Sequence, residues 1–194
     1  EQGRSLALLE NYKIQYSDVE NKSIVMGCAS GWGRRKGYDD FKKIREFLPP
    51  DQYAIIMVGL NEKQLEEMKS HGVIGIARTN SVNDLAAFYT LSDVFINPTY
   101  EEALGMTNIE ALACGTPVIT YRTGGSPETV DDKTGVVIAR GDVAALAEAI
   151  KQMKSNPLSS TACRQRAERL FDKDKCFEKY LDLYNTLINS GIKR

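Results

Sequence analysis

The sequence has little of the residue types that build metal sites and disulfide frameworks. His71 is the only histidine among 194 residues, and the four cysteines are widely spaced without a CxxC pair. Structural zinc sites and small disulfide scaffolds depend on closely spaced Cys and His residues. We therefore expect neither kind of site, and we predict that the cysteines are buried or half-buried thiols in a reducing compartment.

The sequence also lacks an excess of charge of one sign and any long hydrophobic run. It carries 25 Lys and Arg against 26 Asp and Glu, a net charge of −1. Nucleic-acid-binding proteins usually carry a clear positive excess, so no nucleic-acid partner is expected and any anion site must be local. Without an apolar run of about 18 residues or a signal-peptide pattern, the chain is expected to be soluble and cytoplasmic. Because it begins with Glu1, we expect a piece of a longer gene product.

The pattern of apolar residues up to Asp142 predicts an α/β fold. Short β-rich runs alternate with amphipathic stretches, which is typical of a Rossmann-like parallel sheet with helices on both faces. The predicted strands cover residues 24–29, 53–58, 73–77, 94–97, 117–120 and 136–138, and the helices between them cover residues 38–48, 62–70, 82–91 and 106–114.

Three segments describe the predicted domain organisation. Residues 1–22 form a lead-in with one helix at 5–11, residues 23–172 form the Rossmann-like domain, and residues 173–194 form a C-terminal helix. Extra helices are predicted after Asp142, at residues 143–154, 159–171 and 175–188. The last helix carries apolar residues at helical spacing, from Tyr180 to Ile188, a pattern that usually indicates core packing.

Ligands of open parallel sheets bind beyond the carboxyl ends of the strands, so the loops there are candidate site loops. The loop at residues 30–37 joins three glycines to the cations Arg34, Arg35 and Lys36, a composition that suits a phosphate. An exposed basic turn is the alternative. The loop is neither GxxxxGK[ST] nor GxGxxG, which disfavours kinases, ATPases and simple dehydrogenases.

The loop at residues 98–105 leads into a helix that carries Glu110. The tip of that helix presents unpaired amides, which suit a diphosphate or a sugar hydroxyl, and a carboxylate suits a vicinal diol. Alternatively, Glu102 and Glu110 act as helix caps or dipole partners. The apolar neighbours of Glu110 predict a largely buried helix, in which its charge needs a partner.

At this point a resemblance to a known family becomes specific. The stretch EEALGMTNIEALACGTPVIT resembles the signature of family-4 retaining glycosyltransferases, also called glycosyl transferases group 1. That signature is E-x7-E followed by a small-residue helix, Gly-x-Pro and a buried strand. LSDVFINPTYEE before it, TGGSPETVDDKTGVVIARGD after it and the Lys-Gly of the first loop extend the resemblance over about residues 24–150.

The resemblance implies the GT-B architecture, in which two Rossmann-like domains face each other across a cleft. This chain would be the C-terminal, donor-binding domain, inactive without its N-terminal acceptor domain, and any peripheral membrane association would come only through that missing domain. The implied reaction transfers a hexose-type sugar from a nucleoside diphosphate sugar to a glycan, lipid or small-molecule acceptor, with retention and without a bound metal or cofactor. The C-terminal helix would cross to the missing domain.

The resemblance also implies roles for individual residues. Lys36 would neutralise the diphosphate, Glu102 would face the transferred sugar, and Glu110 would hold the ribose. The family's usual arginine position falls on Gly31, which leaves Arg34 or Arg35 as the second phosphate cation. Further implied contacts are the backbone of Gly105, Met106 and Thr107 for the sugar or phosphate, and Arg78 and Thr79 for the base.

Two other functions are compatible with the pattern. A sugar-nucleotide epimerase can share the architecture, but it needs further acid/base residues, and His71 offers little support. A nucleotide-sugar-binding module without catalysis is the other alternative. The joint presence of Lys36, Glu102 and Glu110 argues against it.

Overall fold

The structure, a computed structural model, describes the backbone of residues 2–190 and the side chains of residues 6–190. Strands and helices alternate through most of the chain. The strands are β1 (Ser23–Cys28), β2 (Tyr53–Val58), β3 (Ile74–Ile76), β4 (Val94–Asn97), β5 (Val118–Tyr121) and β6 (Gly135–Ile138). The helices are α1 (Gln2–Asn11), α2 (Tyr38–Phe47), α3 (Glu62–Ser70), α4 (Val82–Leu91), α5 (Met106–Ala113), α6 (Val143–Ser155), α7 (Ser160–Leu170) and α8 (Lys173–Asn189).

All strands pair in parallel in one sheet with the order β3-β2-β1-β4-β5-β6. The direction of winding reverses between β1 and β4, so the loops that follow these two strands leave on opposite faces and open a crevice between them. Every residue of β2, β4 and β5 is buried, as expected for strands covered on both faces. The predicted Rossmann-like sheet is confirmed.

Two apolar clusters fill the space between the sheet and its helices. On one face, Phe41 and Ile44 of α2 pack with Leu146 and Ile150 of α6. On the other face, the cluster joins residues of α1, α4, α5 and α7, including the fully buried Phe88. Each of these helices therefore buries one stripe against the sheet, which is the pattern that the period of the apolar residues predicted.

Helix α7 holds the loop that follows β5. The Arg166 guanidinium donates hydrogen bonds to the backbone carbonyls of Glu128, Thr129 and Val130, and it pairs with Asp131 at 2.6 Å. Burial raises the pKa of Asp131, but the Thr134 hydroxyl, Arg166 and a backbone amide outweigh it and hold that pKa below its usual value. Thr129 of this loop accepts a hydrogen bond from Asn108 of α5 at 3.1 Å, so α7 braces the loop that contacts the start of α5.

Helix α8 corrects one interpretation of the sequence. None of its residues is buried, so core packing of its apolar stripe is wrong for the part of the chain that the structure describes. Its exposed large apolar side chains are Phe177, Tyr180, Leu181, Leu183, Tyr184, Leu187 and Ile188. In residues 2–190, no helix combines the length and the apolar character needed to cross a membrane.

Candidate functional site

A cavity of about 560 Å³ lies at the carboxyl ends of the strands, where the loops after β1, β2, β3 and β4 meet the first turn of α5. Its volume falls in the range of small-molecule sites, roughly 300–1,000 Å³. Seven of the ten predicted site residues line it: Lys36, Arg78, Thr79, Glu102, Met106, Thr107 and Glu110. Arg34, Arg35 and Gly105 do not.

Two glycines let the loops approach closely enough to form this cavity. Gly37 has φ +74°, and a Cβ there would lie 2.2 Å from the carbonyl oxygen of Pro98. Gly124 has φ +49°, and its Cβ would lie 1.6 Å from the carbonyl oxygen of Glu102. Any side chain at either position would collide with the loop after β4. The loop that carries Glu102 is therefore held between the loops after β1 and β5.

The side chains of Lys36 and Glu102 form an ion pair inside the cavity. The Lys36 Nζ lies 2.6 Å from Glu102 Oε2, and the two side chains are only 23% and 16% exposed. The other carboxylate oxygen of Glu102 accepts a hydrogen bond from the amide of Ala103 at 3.1 Å. The resemblance assigned these side chains to different parts of the donor, and the structure brings them into direct contact.

A buried carboxylate holds the two loops in register. Asp40, which is 2% exposed on α2, accepts hydrogen bonds from the hydroxyls of Tyr100 and Tyr121, both at 3.0 Å. Burial, aided by the adjacent carboxylate, raises the pKa of both tyrosines, so their hydroxyls stay protonated donors. The amide of Tyr100 donates to the Arg35 carbonyl at 2.8 Å. The segment that ends in Lys36 is thus tied to the segment that precedes Glu102.

The first turn of α5 faces the cavity with unpaired backbone amides. The helix begins after Gly105, which has no side chain to cap it, and the amides of Met106 and Thr107 precede the first intrahelical hydrogen bond. Asn108, fully buried, accepts from the Asn97 side chain at 2.8 Å and donates to Thr129 at 3.1 Å. These bonds fix the helix tip, whose partial positive charge favours an anion.

Glu110 lies one turn further along α5, and the structure corrects the argument that was made for it. Its neighbours Ala111 and Leu112 are buried, but Glu110 itself is exposed, so burial does not impose a partner on its charge. Its Oε2 accepts a hydrogen bond from the Tyr89 hydroxyl at 3.0 Å. Burial raises the pKa of Tyr89, and the nearby thiol and carboxylate raise it further, so the hydroxyl remains a donor. One carboxylate oxygen is anchored while the group stays open to the cavity.

The two arginines of the first loop lie apart from the cavity. Arg34 and Arg35 belong to a short 3₁₀ helix that ends at Lys36, and both are exposed. The Arg35 carbonyl accepts from the Thr99 hydroxyl and the Tyr100 amide, so its backbone rather than its side chain shapes the site. The contact between one of these guanidinium groups and a phosphate stays a prediction.

A second cavity, of about 590 Å³, lies at the opposite edge of the sheet, beside the amino ends of β2 and β3. Lys13, Lys22, Arg45 and Lys69 line it together with Asp18 and Glu66, among other residues. No helix tip with free amides contributes to it, and ligands of open parallel sheets bind at the other edge. The cavity around Lys36 and Glu110 is therefore the candidate site. Within the described residues, no three His, Cys, Asp or Glu side chains are grouped as metal ligands would be.

Comparison with known proteins places the chain in a family. The sequence profile described as "Glycosyl transferases group 1" matches residues 13–170. The chain belongs to this family. The match confirms the resemblance carried by the E-x7-E stretch and by the segments around it.

Two relatives of this chain are glycosyltransferases of about twice its length. The GDP-mannose-dependent alpha-(1-6)-phosphatidylinositol monomannoside mannosyltransferase of Mycolicibacterium smegmatis is 33% identical over 156 residues, which cover 71% of this chain and 40% of that protein. The capsular polysaccharide biosynthesis glycosyltransferase CapM of Staphylococcus aureus is 27% identical, over 94% of this chain and 52% of that protein. The chain thus spans about half, or less, of these relatives.

Solved structures share the fold. A glycosyltransferase from Rickettsia africae superposes with a TM-score of 0.81 at 21% identity, over 97% of this chain and 52% of that one. HepE of Anabaena, solved in complex with UDP-glucose, superposes with a TM-score of 0.76 at 19% identity, over 96% of this chain and 54% of that one. These similarities confirm the predicted fold, the Rossmann-like half of the GT-B architecture.

Sequence reasoning missed several residues that line the cavity. They are mostly small or apolar and directly end or follow strands: Cys28, Ala29, Ser30, Val58, Gly59 and Ala77, joined by Leu85 of α4. Their position at the carboxyl ends of β1, β2 and β3 is the signal that could have found them. His71, the acid/base candidate of an epimerase, follows the last residue of α3 and does not line the cavity.

Proposed function

We propose that this chain is the donor-binding half of a retaining glycosyltransferase that moves a hexose-type sugar from a nucleoside diphosphate sugar to a glycan, lipid or small-molecule acceptor. One observation carries the proposal: a single cavity brings a cation, an amide-bearing helix tip and two carboxylates together. These are the groups that a diphosphate, a ribose and a sugar require. Family membership supports the transferase activity.

Each part of the donor has a matching group in the cavity. The ribose hydroxyls would donate to Glu110, whose anchored carboxylate is already oriented by Tyr89. The diphosphate would lie between the Lys36 ammonium and the amides of Met106 and Thr107. The base would extend toward Arg78 and Thr79, and the sugar toward Glu102. Base, ribose, diphosphate and sugar would thus follow one another along the cavity, from α4 and the end of β3 to the loop after β4.

The chemical step would depend on charge stabilisation at the leaving phosphate. Negative charge develops on the β-phosphate as the bond to the anomeric carbon breaks, and preorganised donors contribute on the order of 3 kcal/mol each to such a step. We assign this role to Lys36 and the tip of α5, with Arg34 or Arg35 as a second cation and without a bound metal or cofactor. The leaving phosphate would accept the acceptor's proton on the same face, which gives retention.

The catalytic site would be completed by a second domain. The chain spans 40% and 52% of the two relatives described above, and the exposed apolar side chains of α8 offer a surface for the missing part. In this organisation residues 1–22 lead in, residues 23–172 bind the sugar nucleotide, and residues 173–194 reach the N-terminal acceptor domain. We expect the 194-residue chain to bind nucleotide without transferring sugar. Its four free thiols support a cytoplasmic location.

Replacing Glu110 tests the ribose assignment. The Glu110→Ala variant is expected to bind a nucleotide more weakly by about 1.5–3 kcal/mol, because hydrogen bonds to a charged group are lost. Calorimetric titration with UDP and with GDP measures this. Tyr89→Phe, which keeps the carboxylate, is expected to cost less.

Glu46→Ala is the matched control, because Glu46 is an exposed glutamate of α2 outside the cavity. Its affinity should equal that of the unmodified chain. Equal affinities of Glu110→Ala and the unmodified chain, for a nucleotide that the latter binds, would refute the ribose role. Sugar transfer by the 194-residue chain alone would refute the two-domain organisation of the site.

A further inference from the structure

The ion pair between Lys36 and Glu102 has a consequence for which ligand the cavity prefers. The two residues come from different loops, 66 positions apart, and meet at 2.6 Å in a largely buried setting. The Asp40 hydrogen bonds and the contact between Tyr100 and Arg35 hold both loops in place. The fold itself therefore presents a carboxylate to the cation that the diphosphate needs.

A diphosphate and the Glu102 carboxylate would compete for the same cation, the ammonium group of Lys36. Both are anions that accept hydrogen bonds from an ammonium group, and both would lie within a few ångströms of each other beside side chains that are only 23% and 16% exposed. Like charges at that separation repel strongly where solvent screening is low. A nucleoside diphosphate can therefore gain Lys36 only by displacing Glu102 or by sharing the ammonium with it.

An intact donor differs from the product in what it offers Glu102. Its sugar carries hydroxyl groups, which can donate hydrogen bonds to a carboxylate that has given up Lys36. A nucleoside diphosphate carries no sugar, so the displaced carboxylate would be left beside phosphate oxygens without a new partner. The cost of separating the ion pair is thus offset for the substrate and not for the product.

We propose that Glu102, by competing with the diphosphate for Lys36, makes the site prefer the intact sugar nucleotide over the nucleoside diphosphate that the reaction releases. The inference rests on the proposed function, and it adds a specificity role to a residue that the resemblance assigned only to the sugar. Return of Lys36 to Glu102 would then assist product release.

The test compares Glu102→Gln with the unmodified 194-residue chain. Glutamine keeps the size of the side chain and an oxygen for the Ala103 amide, but it removes the charge. We expect Glu102→Gln to bind UDP or GDP about three- to tenfold more tightly, the range for losing a partly buried ionic competitor. Uridine and guanosine, which lack phosphates, should bind with unchanged affinity.

Two controls isolate the competition. Glu101→Gln removes the same charge from the adjacent exposed residue, which does not line the cavity, and it should leave the affinity unchanged. In a Lys36→Met background the gain from Glu102→Gln should disappear, because the contested cation is gone. This double-mutant cycle separates competition for Lys36 from general charge repulsion.

The second arm uses the sugar nucleotides UDP-glucose, UDP-N-acetylglucosamine and GDP-mannose. Glu102→Gln should tighten their binding less than that of the matching diphosphate, so the preference for the intact donor falls. An unchanged or weakened affinity of a folded Glu102→Gln variant for the diphosphate would overturn the inference. If that variant does not fold, Glu102→Asp replaces it, because the shorter side chain draws the carboxylate away from Lys36. Glu102→Asp should then bind the diphosphate more tightly than the unmodified chain, by a smaller factor than expected for Glu102→Gln. No gain in affinity would overturn the inference.

Failure of the inference is distinguishable from failure of the proposed function. If the unmodified chain binds none of the nucleotides or sugar nucleotides, the donor-binding proposal itself is wrong. If the unmodified chain binds them and only the Glu102→Gln gain is missing, the donor site stands and the competition does not.

Discussion

Cys28 illustrates how the fold sets the chemistry of single residues around the cavity. It ends β1, lines the cavity and lies beside Tyr89 and Glu110. Burial and, to a smaller extent, the nearby Glu110 carboxylate raise the pKa of its thiol to about 11, although a hydrogen bond with Tyr89 opposes part of this rise. The thiol is therefore neutral at ordinary pH, which suits a wall of a site meant for an anionic ligand.

The reactivity of Cys28 gives a test at this scale. The thiolate is the nucleophile in alkylation. Because the pKa of Cys28 is raised above the usual value of about 8.5, little thiolate is present at pH 8. Iodoacetamide should therefore alkylate Cys28 at pH 8 at least about 100-fold more slowly than in urea-unfolded protein. The rate should rise steadily as the pH approaches 11. Peptide mass spectrometry measures it, with Cys28→Ser to identify the peptide. Equally fast alkylation of folded and unfolded protein would contradict the described burial.

Which residues line the cavity could largely be predicted, whereas how they contact one another could not. Lys36, Glu102 and Glu110 could be chosen because residue type and motif spacing are visible in the sequence. Their pairing could not be read from it, since the loops that carry Lys36 and Glu102 meet only through the sheet order. That Glu110 is itself exposed on a largely buried helix could not be predicted, because apolar neighbours on a short helix do not decide which way one side chain faces.

At the scale of elements, the loop after β4 is positioned by its neighbours rather than by its own sequence. It is held by the Tyr100 contacts on one side and by Gly124 on the other. The sequence predicted where each strand lies along the chain and that the sheet is parallel, because the alternation of strand-like and helical stretches and the loop residues between them are local signals. It did not predict the 3₁₀ helix at Arg34–Lys36, whose residues carry no apolar period. Strand β3, which pairs only with β2, covers residues 74–76 rather than the predicted 73–77.

Gly124→Ala tests how this loop is held. The new Cβ would overlap the Glu102 carbonyl and sit at a positive φ, so the loop must move and the Lys36–Glu102 contact should be lost. We expect stability to fall by at least about 2 kcal/mol in urea unfolding and nucleotide affinity to fall with it. Gly31→Ala is the matched control, because a Cβ there meets open space. Equal stability of the two variants would show that the close approach does not constrain the loop.

At the scale of the whole molecule, the well-covered sheet contrasts with the exposed apolar surface of α8. Both faces of the sheet are covered by helices, whereas α8 leaves its apolar side chains exposed. The amphipathic pattern of α8 was readable from the sequence. The surface against which α8 packs could not be predicted from the sequence, because an apolar stripe has the same pattern whether it packs on its own domain or on another. The length of the relatives supports the second case.

The most direct test of the donor-site proposal is a crystal structure of the chain with bound UDP or GDP. We predict the ribose hydroxyls on the Glu110 carboxylate and the diphosphate within hydrogen-bond distance of Lys36 Nζ and the amides of Met106 and Thr107. A nucleotide ordered instead in the cavity beside Lys13 and Arg45, with the Lys36–Glu102 pair intact, would contradict the proposal.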